Sequence, residues 1–329
     1  MRAVVITGTG QVSVETVPDA VLPGTDGAIV AVEKAAICGS DLHFYDGDLP
    51  FFPVAVGHEA IGTVVEAGTD VRSFSVGDRV LVASVAGCGS CLGCDTGDPV
   101  TCFSGPKVFG AGELGGAQAE LLAVPAADFQ LMRIPDGLSD EAALLMTDNL
   151  ATGWAGAADA SGTVLVLGLG AVGLCALRSA EAQGALVYGY DPVAGRRARV
   201  SNPLDSPEAI LEATEGRGAD LVIDAVANDA SLDAAFAAVR AGGTVSVIGI
   251  HALEPYPLNA LMGVYRSITL RMKTAPVHQT WPQLLPLIHS GALRTDGLFT
   301  HSFALDDAAA AYAAVAARSP DCIKAVLIP

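Results

Sequence analysis

Four cysteines stand within fifteen residues, in the run CGSCLGCDTGDPVTC. They are Cys88, Cys91, Cys94 and Cys102, spaced C-x2-C-x2-C-x7-C. This spacing lets a short loop wrap four thiolates around one tetrahedral Zn2+, and a filled set of four leaves no position for a substrate. The expected zinc here is therefore structural. The alternative, four buried apolar cysteines, does not suit a loop with three glycines at this density. The chain opens on MRAVVITGTGQVSVET, which alternates like a strand and is too short in its apolar part for a signal peptide. Seven cysteines without such a signal imply a reducing, cytoplasmic setting and metal ligation, not disulfides.

A second metal candidate is built differently. Cys38 in AICGSDLH and His58 in VGHEAIG lie 20 residues apart, each on a turn after a strand. Two ligands are not enough, and Glu59 and Asp148 are the candidates for a third. Three protein ligands with one open position would polarise a substrate oxygen. Ser40 and His43 follow Cys38 closely, so a hydroxyl and an imidazole stand ready to carry a proton. Each could equally serve as a turn cap.

The third feature is GLGAVG, from Gly168 to Gly173, between the apolar strand TVLVLG and the helical AVGLCALRSAEAQG. That context is what a dinucleotide fingerprint requires. Gly168 allows a tight turn, Gly170 admits a pyrophosphate, and Gly173 permits close packing, with Ala171 and Val172 opening the helix toward the phosphates. Asp191 ends the next strand, about 20 residues on, where a carboxylate receives the ribose hydroxyls and disfavours a 2′-phosphate. NAD is expected over NADP, although Arg196 and Arg197 nearby could accommodate a phosphate.

The chain has 329 residues, enough for two domains. Residues 1–150 are rich in short strands such as AIVAVEKAAI, AIGTVVEAG and DRVLVAS, followed by a helical stretch SDEAALLMTDNLATGWAGAAD. The next stretch, 151–274, alternates TVLVLG, ALVYGYD, ADLVIDAV and GGTVSVIGI with helices, including SLDAAFAAVRAGG. This predicts a doubly wound parallel sheet. Residues 275–329 return to a mixed pattern, with QTWPQLLPLIHSG and DDAAAAYAAVAARS as helices and CIKAVLIP as a closing strand. With 18 basic against 36 acidic residues and no Lys/Arg cluster, nucleic acid is excluded as a partner. The longest apolar run is glycine-rich and under 18 residues, so no membrane span is expected.

Together these features resemble the zinc-dependent medium-chain alcohol dehydrogenases. GHEAIGTVVEAGTDV is similar to that family's zinc signature at Gly57, His58, Glu59, Gly62, Gly68 and Val71, and the likeness runs from the strand-rich start to the closing IKAVL. The resemblance implies a GroES-like catalytic domain, irregular and β-barrel-like, from 1–150 and 275–329, around a Rossmann domain at 151–274. It implies that Cys38, His58 and Asp148 ligate the catalytic zinc. Glu59 would be the carboxylate that approaches the metal, and Asp41 the carboxylate that orients the histidine. Ser40 would touch the substrate oxygen, with His43 at the outer end of a proton relay through the ribose. Thr152 would pack on the nicotinamide, and Lys324 stands where an arginine reaches the pyrophosphate.

Two departures stand out. Gly39 replaces a basic residue that some members use on the pyrophosphate. The stretch DPVAGRRARVSNPLDSPEAI is too short for the usual helix and strand after Asp191. The expected activity is hydride transfer between NAD(H) and an alcohol, aldehyde or ketone, with two zincs per chain and a homodimer or homotetramer formed near GGTVSVIGI and SITLRM. Other readings are a cofactor-retaining aldehyde dismutase, a biosynthetic reductase, or a non-catalytic NAD-binding zinc protein. Phe51, Phe52, Phe109 and Leu114 are the expected apolar lining of the substrate pocket.

Overall fold

The computed structural model describes residues 1–251 and 253–329. The chain divides into two compact units. One comprises Met1–Ala151, Pro276–His289 and Thr295–Pro329, the other Thr152–Ala275 and Ser290–Arg294.

The first unit is built on a mostly antiparallel sheet. Its order is Leu131–Arg133, Arg79–Val82, Glu59–Ala67, Ala28–Ala36, Lys324–Ile328 and Phe299–Ala304, with Leu121–Val124 also paired to Ala28–Ala36. Ala28–Ala36 buries most of its side chains because it has partners along both edges. Its register with Glu59–Ala67 sets Ala36 opposite Glu59, so both strands end at one place. Gly62 holds that pairing close: a Cβ there would lie 2.1 Å from the Ala31 carbonyl oxygen. No other residue fits without parting the strands. A second core gathers Val4, Ile6, Leu42, Phe44, Tyr312 and Leu327.

The helical stretch after Ser139 is two helices, Asp140–Met146 and Asn149–Gly156. Ser139 caps the first, its hydroxyl accepting from the Ala142 N–H at 3.2 Å. At the break the Thr147 hydroxyl donates to the Leu144 carbonyl at 2.6 Å. The Trp281 indole N–H donates to the Met146 carbonyl at 3.0 Å. These bonds take up carbonyls that the interrupted helix leaves over, and the interruption falls at Asp148.

The second unit holds five parallel strands in the order Leu186–Tyr190, Thr163–Leu167, Ala219–Asp224, Val239–Val247 and Thr269–Met272. The interior strand Thr163–Leu167 is buried throughout, as its unbroken apolar run requires. The helix Ala171–Ala182 gives way to Gly184, whose φ of +86° suits the turn back into the sheet. Two expectations change here. The helix Asp229–Ala238 stops short of VRAGG, because Val239 is already extended and starts the next strand. That strand is paired on both sides, so of the two strands expected at the edge Thr269–Met272 is the one that lies there.

The shortened stretch after Asp191 keeps a four-residue helix, Ala194–Arg197. In place of a full strand, Gly189 bonds to Asn202 and Leu204 at 3.1 and 2.9 Å, forming one parallel bridge at Pro203. The Asn202 side chain adds a bond to the Val187 carbonyl at 2.9 Å. A stub therefore covers the edge that a strand would otherwise have paired.

The helix Val277–His289 begins against the four-cysteine loop. His278 stacks on Phe129 with ring centroids 4.2 Å apart and leans on Trp281 at 5.0 Å. Neither ring nitrogen has a hydrogen-bond partner. Burial pushes the His278 imidazolium down to about 4. A histidine depressed in the folded state stabilises above its unfolded value, near 6.5, and loses that stability as pH falls toward 4. Between pH 7 and pH 5 the loss should be about 2 kcal/mol. In guanidinium unfolding, His278→Phe should lose that much less than wild type over this interval; equal losses would contradict the account.

Candidate functional site

The four-cysteine loop hangs from a short antiparallel pair, Val85–Ala86 with Lys107–Val108. Within it Cys91 caps the helix Leu92–Asp95, and its sulfur accepts from the Cys94 N–H at 3.5 Å. The Cys88 and Phe103 N–H groups point at the sulfurs of Cys102 and Cys91, at 3.3 and 3.4 Å. The Ser90 N–H, then its hydroxyl, pulls the Cys88 thiol down to about 6. Sulfur separations are 3.6 Å for Cys91–Cys94 and 3.9 Å for Cys88–Cys94. Zn–S bonds of about 2.3 Å at tetrahedral angles imply sulfurs about 3.8 Å apart. All four cysteines are free thiols, with their sulfurs within 4.8 Å of one another. The set fits one zinc.

The second cluster gathers around the end of the strand pair. Cys38 follows Ala28–Ala36 and His58 precedes Glu59–Ala67, so the register that opposes Ala36 to Glu59 delivers both. The helix break brings Asp148, whose Oδ2 lies 3.8 Å from Cys38 Sγ and 3.9 Å from His58 Nε2. The Ser84 hydroxyl donates to Asp148 Oδ1 at 2.9 Å. Ser40 Oγ lies 3.3 Å from His58 Nε2. On the far side of the ring Asp41 Oδ1 is 3.4 Å from His58 Nδ1, and Asp41 Oδ2 accepts from the Cys38 N–H at 2.9 Å. Gln118 donates to Asp41 at 3.1 Å and accepts from the Tyr312 hydroxyl at 2.9 Å.

Glu59 is fully buried, and its Oε1 receives Lys324 Nζ at 2.8 Å and Asn149 Nδ2 at 3.0 Å. Its other oxygen is buried with no partner. Burial raises the Glu59 carboxyl, against the opposing pull of Lys324. Burial alone would lower the His58 imidazolium, yet the charges of Asp41 and then Cys38 hold it well above its ordinary value. These ligands must shed their protons to bind a metal. A divalent cation is the natural replacement, and the orphaned Glu59 oxygen is a polar atom with a place for one. Thiolate, imidazole and carboxylate donors within 4.8 Å fit zinc.

The dinucleotide loop lies wholly in the second unit. Gly168 has φ +86°, and Gly170 starts the helix Ala171–Ala182, with Ala171 and Val172 in its first turn. Gly173 is required by space: a Cβ there would lie 1.7 Å from the Gly168 carbonyl oxygen. Asp191 is buried, its two oxygens accepting from the N–H groups of Leu169 and Val193 at 2.9 and 2.8 Å. Arg196 Nη1 is 3.8 Å from Asp191 Oδ2, and Arg197 donates to the Asp191 carbonyl at 2.8 Å. Thr152 is buried in the helix Asn149–Gly156.

One residue has partners that sequence spacing did not announce, and one expectation needs correction. Lys324, anticipated at a pyrophosphate, is buried against Glu59 and the Ile37 carbonyl, because the closing strand carries it to the metal cluster. Phe109, anticipated in the substrate pocket, belongs to the hydrophobic core, with Leu114 packed against that core, while Phe51 is exposed. The sequence reading also missed Ser84, Gln118 and Asn149. Asn149 adjoins Asp148 and was within reach of inference; Ser84 and Gln118 are brought in only by the fold.

Residues 24–136 match the model of the alcohol dehydrogenase GroES-like domain, and residues 171–290 that of the zinc-binding dehydrogenases. A probable zinc-binding alcohol dehydrogenase of Mycobacterium tuberculosis is 61% identical, covering 100% of this chain and 89% of its own. The alcohol dehydrogenase TADH from Thermus sp. ATN1 superposes with a TM-score of 0.91 at 32% identity, over 100% of this chain and 99% of its own. The zinc-dependent alcohol dehydrogenase 2 from Streptococcus pneumonia gives 0.90 at 30%, over 100% and 98%. The chain belongs to the zinc-dependent medium-chain alcohol dehydrogenases, and it is a zinc-dependent oxidoreductase.

Proposed function

We propose that this chain interconverts a small alcohol with its aldehyde or ketone, using NAD(H). The observation that carries the reading is the Cys38, His58, Asp148 cluster, with Ser40 beside it and an orphaned Glu59 oxygen behind it. When bound, zinc supplies a Lewis acid and NAD(H) the hydride acceptor or donor. The residues of the chain do the rest. Cys38, His58 and Asp148 hold the cation, and Asp41 fixes the His58 ring by its Nδ1. Ser40 Oγ, on the open side, takes the substrate's hydroxyl proton, and His43 holds it nearer solvent. Lys324 opposes the burial that would neutralise Glu59, and the second Glu59 oxygen is left free for the metal.

At the cofactor, the turn from Gly168 to Gly173 offers main-chain N–H groups and a helix N-terminus to the pyrophosphate. Each Asp191 oxygen has accepted one N–H and can accept one more, which suits the two ribose hydroxyls. The chain also assembles with copies of itself. The open edge Thr269–Met272 and the neighbouring helix Ala260–Tyr265 expose Met272, Leu261, Val264 and Tyr265, and a second copy would cover them.

Three outcomes test these readings. Asp148→Asn and Cys38→Ser should each abolish turnover and leave the circular dichroism spectrum unchanged; wild-type rate with wild-type zinc in either variant would refute the catalytic set. NAD should exceed NADP by at least about tenfold in kcat/KM, from one charge-assisted hydrogen bond of roughly 1.5–3 kcal/mol. Asp191→Gly should narrow that gap, and a wild-type preference for NADP would remove the role given to Asp191. Light scattering should report a dimer or tetramer; a single-chain mass at working concentration contradicts the assembly.

A further inference from the structure

Asp48 belongs to neither metal set and lies outside the cofactor loop. It sits 2.9 Å from His43, Oδ2 to Nδ1. The contact is built by the main chain. His43 lies in the helix Asp41–Tyr45, after which the chain turns back on itself. The Asp46 N–H donates to the Leu42 carbonyl at 2.6 Å, Gly47 to Phe44 at 3.2 Å, and Leu49 to His43 at 2.9 Å. Gly47, at φ +86°, lies against Thr9, where a Cβ would meet Thr9 Oγ1 at 2.5 Å. The Gly10 N–H donates to the Tyr45 carbonyl at 2.7 Å and fastens the turn to the first hairpin. The carboxylate is thus carried to one nitrogen of one imidazole by bonds that do not depend on Asp48 itself.

A carboxylate only accepts hydrogen bonds, and a neutral imidazole has one donor nitrogen and one acceptor nitrogen. We propose that Asp48 is a positioning residue for the proton step: it keeps the His43 hydrogen on Nδ1 and so presents the Nε2 lone pair. In alcohol oxidation Nε2 takes up the proton that leaves the substrate hydroxyl by way of Ser40. The imidazolium keeps its Nδ1–H on Asp48, whose charge balances it, and Nε2 then releases the proton to water. Reduction runs the same transfers backward. Without Asp48 an unconstrained imidazole favours the hydrogen on Nε2, the wrong nitrogen for accepting. The pair is partly exposed, with 22% and 47% of the two side chains accessible, so it adds little to stability. Its value is geometric.

The inference rests on the proton role proposed for His43, and the test separates the two. Nitrogen-15 NMR of histidine-labelled, zinc-loaded protein, with the His43 signals assigned by their loss in His43→Gln, should show the hydrogen on Nδ1 in wild type and on Nε2 in Asp48→Ala. In Asp48→Ala, kcat for alcohol oxidation at neutral pH should fall roughly tenfold with KM little changed, short of the loss on removing a general base outright. Asp48→Glu should restore part of it. If His43→Gln turns over at the wild-type rate, the proton role of His43 fails and the inference fails with it. If His43→Gln is slow while Asp48→Ala is as fast as wild type, or if the wild-type ring carries its hydrogen on Nε2, the assignment of Asp48 alone is overturned.

Discussion

The antiparallel register between Ala28–Ala36 and Glu59–Ala67 places Cys38, His58 and Glu59 at the metal cluster. One strand leads into Cys38 and the other leads out of His58 and Glu59. A shift of one residue would exchange the faces of a strand whose side chains are mostly buried and would carry Glu33 or Lys34 toward the core, at a large cost. The same strand pairs with the closing strand Lys324–Ile328, so the register also places the ammonium of Lys324 beside Glu59. A soft ligand, an imidazole and a balanced carboxylate thus meet because two strands have one way to pack.

Charge explains why these groups tolerate burial together. An isolated buried carboxylate or ammonium costs several kcal/mol, and a pair is acceptable only with good geometry and further bonds. Glu59 has Lys324 and Asn149 on one oxygen and none on the other. Asp41 is held by Cys38, Gln118 and His58. Asp148 is held by Ser84 and Asn149. What is left over is net negative charge and open acceptor positions, the description of a site shaped for a cation.

Much of this was legible in the chain because its signals are local. Four cysteines within one loop, GLGAVG between a strand and a helix, and Asp191 at the next strand end each declare themselves within a few residues. Asp148 was harder, since its stretch reads as one long helix and the break at Thr147 depends on hydrogen bonds that periodicity does not record. The partners of Lys324 were not announced, because the fold and not the spacing decides that its side chain turns inward. Phe109 was misplaced for the same reason, since an aromatic near a cysteine loop can face the core or a cleft with equal sequence support. The short stretch after Asp191 was correctly seen as reduced. Its replacement by a single bridge at Pro203 rests on main-chain bonds that no side chain announces.

The central claim is that the chain holds two zincs in unlike surroundings, one closed by Cys88, Cys91, Cys94 and Cys102 and one held by Cys38, His58 and Asp148. The most direct measurement is the zinc X-ray absorption edge of wild type beside His58→Ala. Wild type should show mixed sulfur and nitrogen or oxygen scattering from two zincs per chain. His58→Ala should keep one zinc, with sulfur alone in its first coordination sphere at about 2.3 Å. A variant that retains two zincs, or whose single zinc still shows nitrogen or oxygen ligands, would contradict the division into a closed and an open site.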